Sequence, residues 1–131
     1  MEVAFLELFS IAKLNRKLIE SIFGKIITDQ VIVTDERIAH IRERHPEDYE
    51  LFQEYSKDAI ETPDYIVRDN EHVGTVFMIK RLPDTNLNVV IRLVLETDDP
   101  SYMNSVMTFY RIREKNLQKL IQKHGLLYKR E

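Results

Sequence analysis

The segment RIAHIRERHPE, residues 37–47, concentrates ionisable side chains at one place in the chain. It contains His40 and His45, whose side chains exchange a proton near neutral pH, together with three arginines. Arginine keeps its charge and offers a planar set of donors to phosphate or carboxylate groups. These residue types favour either general acid–base catalysis on an anionic substrate or simple anion binding.

The positions of these side chains follow from a predicted helix over Asp35 to about Arg44. Thr34 is a suitable N-cap, and Pro46 marks the end of the helix because the residue before a proline avoids helical angles. At about 100° per residue, His45 falls on the same inward face as the apolar residues of the helix. His40 and Arg44 share a more polar side next to it. His45 is therefore either a proton-transfer group or a histidine that completes the edge of the core, and helix geometry alone favours the second.

A strand predicted over residues 86–96 places Arg92 on the face opposite its regular series of leucine, valine and isoleucine residues. Thr108 and Tyr110, on the last predicted strand, share that face if the register of the sheet allows. The alternative is a solvated arginine on the outer face of a sheet, beside two ordinary strand residues. Taken with His45, the set suits RNA cleavage, in which a base removes the 2′-OH proton, an acid protonates the 5′-oxygen and cations hold the phosphorane.

Metal or cofactor binding is not indicated. His40 and His45 are five residues apart, which departs from the i, i+4 spacing of two ligands on one helical face, and no HExxH motif is present. The chain has three glycines and no glycine-rich phosphate or dinucleotide loop. Cysteine is absent, which excludes disulfides, thiolate chemistry and cysteine-based zinc sites. We therefore expect no metal and no cofactor.

Composition predicts one globular domain, residues 1–131, with 44% hydrophobic and 31% charged residues. The net charge of −3 argues against a large non-specific nucleic-acid binder, although basic patches occur at residues 37–44, 80–81 and 111–130. No stretch is apolar enough to span a membrane. The N-terminal segment has the pattern of an amphipathic helix rather than a signal peptide. These features fit a cytoplasmic protein.

The order of elements predicts an α+β fold: N-terminal helices, then a four-stranded antiparallel sheet, then a C-terminal helix, with the helices on one face of the sheet. The helices are expected over residues 3–22, 35–44, 47–60 and 114–124. Residues 25–33 are expected to form a short strand or an extended entry. The four strands are predicted in the segments DYIVRDN, GTVFMIKRL, NLNVVIRLVLE and MNSVMTFYRI.

Several segments resemble the phage-type nuclease domains of the barnase–EndoU–colicin–RelE superfamily. They are VIVTDERIAHIRERHPEDY, ETPDYIV, a strand ending in RLV, and NSVMTFYRI followed by a lysine-rich helix. The resemblance covers residues 26–130, which divides the chain into an N-terminal helix, residues 1–24, and a nuclease-like core. It implies a metal-independent endoribonuclease, often a toxin or effector of a phage or mobile element. The acidic charge and the extra N-terminal helix depart from that pattern.

By position, the resemblance makes His45 the leading general acid or base. It implies a catalytic set made of His45, His40, Arg44, Arg92, Thr108 and Tyr110, while Lys80 and Arg81 are candidates to hold a neighbouring phosphate. The implied partners are an RNA substrate and an antitoxin or immunity protein. The N-terminal helix either completes the core, which is favoured, or provides a partner-binding or homodimer surface. The alternative function is a non-catalytic module that binds RNA or protein on the same fold.

Overall fold

The computed structural model describes residues 8–99 and 102–131, which form seven strands and four helices. In chain order the elements are β1 (Leu8–Lys13), α1 (Arg16–Phe23), β2 (Gln30–Thr34), α2 (Asp35–Arg44), α3 (Pro46–Glu61), β3 (Tyr65–Arg68), β4 (Thr75–Arg81), β5 (Asn86–Arg92), β6 (Asn104–Ile112), α4 (Glu114–His124) and β7 (Leu126–Lys129).

The strands form one mixed sheet in the order β1-β2-β6-β5-β4-β3-β7. Every neighbouring pair is antiparallel except β2 and β6, which run parallel. One face of the sheet is covered by α2 and α3, whose residues Ile41, Phe52 and Ile60 belong to the larger apolar cluster. The other face is partly covered by α4, which buries Leu117 in a second cluster with residues of β3, β4 and β5.

The α+β class is correct, but the predicted architecture of a four-stranded antiparallel sheet behind N-terminal helices is wrong. The sheet has seven strands, one neighbouring pair is parallel, and a strand comes first among the described residues. The expectation that all helices pack on one face is also wrong, because α4 lies on the face opposite α3. The missed strands are β1 and β7 at the two edges of the sheet, whose pairing is decided by distant parts of the chain. β2 overlaps residues 25–33, which were expected to form a short strand or an extended entry.

The predicted helix over residues 3–22 is wrong over residues 8–15 and correct over residues 16–22, while residues 3–7 lie outside the described part. Residues 8–13 form β1, which pairs along its length with β2. The helix begins only at Arg16, because the side chain of Asn15 caps it by accepting a hydrogen bond from the N–H of Leu18 at 3.1 Å. Pairing with β2 outweighs the local helical pattern of the first half.

The segment around the two histidines folds as its local chemistry predicts. Thr34 caps α2 by accepting a hydrogen bond at 3.1 Å from the N–H of Arg37, and Asp35 lies in the first turn, where the helix dipole favours an anion. The helix ends at Arg44, and Pro46 starts α3 at a position where its missing N–H costs nothing. This confirms the predicted bounds of α2.

A β-bulge in β6 changes which side chains share a face. Val90 of β5 lies opposite Thr108, but Ile91 lies opposite Val106, so Met107 is an extra residue in β6. Met107 and Tyr110 therefore pack with the cluster beneath α4, whereas Val106 and Phe109 pack with the cluster beneath α3. The simple alternation expected for this strand holds only on either side of the bulge.

Within the described residues, no helix combines the length and apolar character that crossing a membrane requires.

Candidate active site around His45

His45 lies at the junction of two helices. Its N–H donates to the carbonyl of Ile41 at 2.8 Å and ends α2, while its carbonyl accepts from the N–H groups of Asp48 and Tyr49 at 2.9 and 3.1 Å and starts α3. Both helices therefore hold the backbone of His45. Its side chain is 41% exposed, which places it at the edge of the core and within reach of a solute.

Asp48 links this junction to the last strand of the sheet. Its side chain is only 8% exposed, and its Oδ1 lies 2.5 Å from Nε of Arg111 on β6. That contact is an ion pair whose angle departs from that of a hydrogen bond. The N–H of Arg111 donates to Oδ2 of Asp48 at 3.4 Å, and Nη2 of Arg111 donates to the exposed Glu47 at 3.1 Å. Two charged contacts thus attach the start of α3 to the end of β6.

The same carboxylate lies beside His45. Oδ2 of Asp48 is 4.0 Å from Nδ1 of His45, too long for a hydrogen bond but close enough for a strong charge interaction. Asp48 can therefore assist His45 electrostatically while Arg111 holds the carboxylate in place.

A cavity of about 530 Å³ opens in front of these groups. Its lining combines a histidine, two carboxylates, two guanidinium groups and two hydroxyls, contributed by His45, Asp48, Asp84, Thr85, Tyr110, Arg111 and Arg113. Proton transfer, charge stabilisation and hydrogen bonding to a polar substrate are all available in this set. A smaller cavity next to it, of about 240 Å³, adds Arg44 to the surroundings of His45.

Asn88, which lies opposite Tyr110 on the neighbouring strand β5, orients the hydroxyl of Tyr110. Nδ2 of Asn88 donates to Oη of Tyr110 at 2.9 Å, so the hydroxyl proton remains available for another acceptor. Asn88 is fully buried, and its Oδ1 has no hydrogen-bond partner among the described residues. The hydrogen bond from this buried amide fixes the position of the Tyr110 hydroxyl.

A basic groove continues from this cavity along α4. It has a volume of about 560 Å³ and shares Tyr110, Arg111 and Arg113 with the first cavity; the other residues are Ile112, Asn116, Lys119, Leu120, Lys123 and His124. Lys123 pairs with Glu71 at 2.8 Å. Arg113 and Lys119 form no ion pair with the residues that the structure describes. Their charge is free to attract an anionic ligand.

The start of α4 is held in place by Glu114. This carboxylate accepts a hydrogen bond from Asn86 at 2.9 Å and pairs with Arg81, whose Nη2 lies 2.5 Å away. The hydrogen bond from Asn86 lowers the pKa of Glu114; burial opposes this, and Gln118 and Arg81 lower the pKa further. Arg81 also stacks over the ring of Tyr65. The groove therefore lies on a helix whose first turn is fixed to β4 and β5.

The structure brings only some of the predicted site residues together. His45 and Tyr110 line one cavity, and Arg44 lies next to it. Thr108 shares the sheet face of Tyr110 but does not line that cavity. His40 is exposed on α2, and it too lies outside the lining.

The remaining three predicted residues lie elsewhere. Arg92 is at the other end of β5, opposite Ser105. Lys80 donates to the carbonyl of Thr62 at 3.2 Å, and Arg81 is occupied by Glu114. Their proposed roles stay predictions.

Sequence reasoning missed Asp48, Arg111 and Arg113. Asp48 follows His45 by three residues, a spacing that brings side chains together at the start of a helix, and this was the one local signal available. Arg111 and Arg113 gave no such signal, because their approach to His45 depends on how β6 ends against α3. The sequence indicated the groove on α4 only as the basic patch at residues 111–130.

Among the residues in 8–99 and 102–131, one group of three potential metal ligands has its donor atoms within 4.8 Å of one another. It consists of Asp69, Glu71 and His72 on the loop between β3 and β4. That loop lies at the end of the sheet where Thr75 pairs with Arg92, away from His45. This group is therefore separate from the residues around His45.

Comparison with known proteins identifies the family. The chain matches the family model described as phage-Barnase-EndoU-ColicinE5/D-RelE like nuclease2 over residues 4–129. Neither the curated proteins nor the solved structures gave a match. The family match spans nearly the whole chain and includes every residue of the cavity and the groove. The chain therefore belongs to the phage Barnase-EndoU-ColicinE5/D-RelE-like nuclease family.

Proposed function

We propose that this nuclease is a metal-independent endoribonuclease that cleaves RNA by general acid–base catalysis at His45. The observation that carries the proposal is the grouping of His45 with Asp48, Tyr110, Arg111 and Arg113 around one open cavity. Cleavage through the 2′-hydroxyl needs proton transfer and stabilisation of a dianionic phosphorane, and this set offers both.

In the proposed reaction, His45 exchanges the proton. As a base it removes the proton of the 2′-OH, and the oxygen attacks the adjacent phosphorus. The bond between phosphorus and the 5′-oxygen breaks, the departing oxygen takes a proton from water in the open cavity, and the imidazolium then returns its proton to solvent. Asp48 stabilises the positive charge of the imidazolium from 4.0 Å. The products are a 2′,3′-cyclic phosphate and a free 5′-hydroxyl.

The cations and the tyrosine act on the phosphate. Arg113 carries no ion pair within the described residues and lies at the point where the cavity meets the groove, which suits it to the scissile phosphate. Tyr110 offers a hydroxyl proton to a phosphoryl oxygen, because Asn88 already supplies the hydrogen bond to its oxygen. The groove on α4 continues the positive surface and suits the polyanionic backbone of RNA.

The site contains groups that serve proton transfer, which supports the metal-independent form of the reaction. A role as a toxin or effector of a phage or mobile element, with an antitoxin or immunity partner, is a further part of the proposal.

The test is incubation of the purified protein with total RNA in EDTA, for the wild type, His45→Ala and His40→Ala. His40 is the matched control, since it is an exposed histidine on the adjoining helix. We expect cleavage by the wild type and His40→Ala, a loss of roughly 10²–10⁴-fold in His45→Ala, and 2′,3′-cyclic phosphate ends. Cleavage that needs added metal, or that survives in His45→Ala, would contradict the mechanism. RNA binding without cleavage by any of the proteins would favour the non-catalytic module.

A further inference from the structure

A separate cavity lies at the opposite end of β5 and β6 from His45. It has a volume of about 340 Å³ and is lined by Arg92, Leu93, Val94, Asp98, Tyr102, Met103 and Ser105. This volume is at the lower end of the range for small-ligand sites, about 300–1,000 Å³. The lining combines one cation, one exposed aromatic ring and apolar walls.

Arg92 is held without an anionic partner. It is exposed, and none of the residues in 8–99 and 102–131 forms an ion pair with it. Its side chain lies over Gly74, which has a positive φ of 85°; a Cβ there would come within 2.9 Å of Nε of Arg92. The carbonyl of Gly74 accepts from the N–H of Leu93 at 2.8 Å, which fixes this loop against the end of β5. The guanidinium therefore has a defined place and an unmatched charge.

Tyr102 supplies the aromatic ring. Its side chain is 60% exposed, and it is the only aromatic residue among the exposed large hydrophobic residues of the described chain. An exposed ring of this kind offers a face to a flat ligand, and base–aromatic stacking is tolerant of base identity. Asp98 lines the same cavity, where a carboxylate can accept a hydrogen bond from a base amino group.

Hydrogen bonds hold the residues around this cavity in place. Asn104 is fully buried; its Nδ2 donates to the carbonyls of Thr28 and Gln30 at 2.7 and 2.8 Å, and its Oδ1 accepts from the N–H of Val94 at 2.9 Å. Asp98 also accepts from the N–H of Leu95 at 2.7 Å. Val94 and Asn104, which lie next to the Arg92 end of the cavity, are thus fixed by hydrogen bonds.

The position of the cavity relates it to His45. Asn86 and Arg92 are the ends of β5, about 20 Å apart at about 3.3 Å per residue. Thr85, which precedes the strand, lines the His45 cavity. Arg92 shares its sheet face with Thr108 and Tyr110. Val90 of β5 is buried there, so an RNA strand that joins the two cavities would follow the partly exposed side chains of β6. The separation corresponds to a few nucleotides of an extended chain.

We infer that Arg92 and Tyr102 form a nucleotide subsite for single-stranded RNA, in which the base stacks on Tyr102 and a phosphate pairs with Arg92. The subsite lies a few nucleotides from the bond cleaved at His45, and it rests on the proposed ribonuclease function. It makes the enzyme prefer an unpaired strand, because only an unpaired base presents its face to the tyrosine.

A fluorescence experiment tests the subsite directly. The chain contains no tryptophan, so Tyr102→Trp places a single reporter there. Tyr55→Trp, on α3 at the opposite face of the sheet, is the matched control. Each variant is titrated with a 2′-O-methyl oligonucleotide that cannot be cleaved through the 2′-oxygen, and binding is followed in parallel by anisotropy of a labelled strand. We expect quenching in Tyr102→Trp only, and loss of the quenching when Arg92→Ala is added. Binding by anisotropy with unchanged fluorescence in Tyr102→Trp would overturn the subsite.

A second experiment separates this inference from the proposed reaction. Cleavage of a dinucleotide and of a longer single strand is compared for the wild type, Tyr102→Phe and Tyr102→Ala. We expect Tyr102→Ala to raise KM for the longer strand about tenfold, with the dinucleotide unaffected and Tyr102→Phe close to the wild type. Equal effects on both substrates, or none, would overturn the subsite while leaving the His45 reaction in place. Absence of cleavage by every protein, with quenching still present, would overturn the reaction alone.

Discussion

Nδ1 of His45 lies 4.0 Å from Oδ2 of Asp48, whose other oxygen is held by Nε of Arg111. The carboxylate thus connects a half-exposed histidine to an arginine that comes 63 residues after Asp48 in the chain. Asp48 occupies the first turn of α3, where the helix dipole also favours a negative charge. The proposed reaction depends on this arrangement, because it sets both the position of Arg111 and the charge next to His45.

Removing the charge of Asp48 should impair the reaction more than RNA binding. In Asp48→Asn we expect kcat to fall about tenfold or more, with little change in KM, since the carboxylate acts on the imidazole and not on the RNA. Steady-state cleavage of a defined oligonucleotide measures both constants. Glu47→Gln is the control, because Glu47 contacts the same arginine but is exposed. Equal losses in the two variants would show that contact with Arg111 alone matters.

The hydroxyl of Tyr110 should matter for both stability and activity. Tyr110→Phe leaves Asn88 fully buried with no hydrogen-bond partner for its side-chain amide, which should cost about 1–3 kcal/mol in the free energy of unfolding. The cleavage activity of Tyr110→Phe should also be lower than that of the wild type, when both are measured at a temperature where the variant is still folded. Urea denaturation and cleavage assays give the two quantities. Tyr128→Phe on β7 is a suitable control. Unchanged activity of Tyr110→Phe would show that Tyr110 is not part of the active site.

The groove on α4 should determine how RNA binding depends on salt. If Arg113 and Lys119 each contact one phosphate, then Arg113→Ala and Lys119→Ala should each reduce the slope of log K against log salt by about 0.7. Binding titrations of a single-stranded oligonucleotide at several salt concentrations measure this slope. Lys57→Ala on α3 is the control, because it changes the net charge by the same amount at a surface distant from the groove. A slope that changes equally in all three variants would mean that only net charge matters.

The loop between β3 and β4 should make stability sensitive to acid. Burial raises the pKa of Asp69, but the hydrogen bond from the N–H of Glu71, the hydrogen bond with His72 and the charges of His72 and His124 outweigh it, so the pKa is lowered. A lowered pKa in the folded state stabilises the protein at pH values above the ordinary pKa of aspartate, about 3.9, and this contribution is lost as the pH falls through the folded-state value.

The corresponding experiment compares urea denaturation of the wild type and Asp69→Asn from neutral pH down to about pH 3. The wild type should be more stable at neutral pH, and the difference should shrink on acidification. Asp58→Asn, at an exposed position of α3, should show no such convergence. A difference that stays constant with pH would show that the hydrogen-bond geometry, and not the charge, is responsible.

Local rules predicted the parts of the fold that depend on neighbours in sequence. The cap at Thr34, the stop before Pro46 and the apolar alternation in β5 led to correct bounds for α2 and to the correct inward face of β5. The prediction of His45 at a helix end next to the core edge has the same basis. These features are determined by a few adjacent residues, and so the sequence reveals them.

The remaining features depend on distant contacts. β1 is a strand because β2 pairs with it, and the parallel pairing of β2 with β6 joins residues more than 70 positions apart. The extra residue Met107 moves side chains to another face without any glycine or proline to mark it. The ion pair of Asp48 with Arg111 depends on both of these, since β6 must end against α3. Sequence patterns carry no signal for such pairings.

The parallel contact between β2 and β6 also has a consequence for biosynthesis. Ser105, the partner of Ile32, is synthesised 73 residues after it. Until then one edge of β2 stays open, and Tyr110, Arg111 and Arg113 do not yet exist beside His45. Folding of the sheet and completion of the cavity are therefore late, non-local events. A nascent chain that ends before β6 therefore lacks Tyr110, Arg111 and Arg113, three of the groups in the proposed active site.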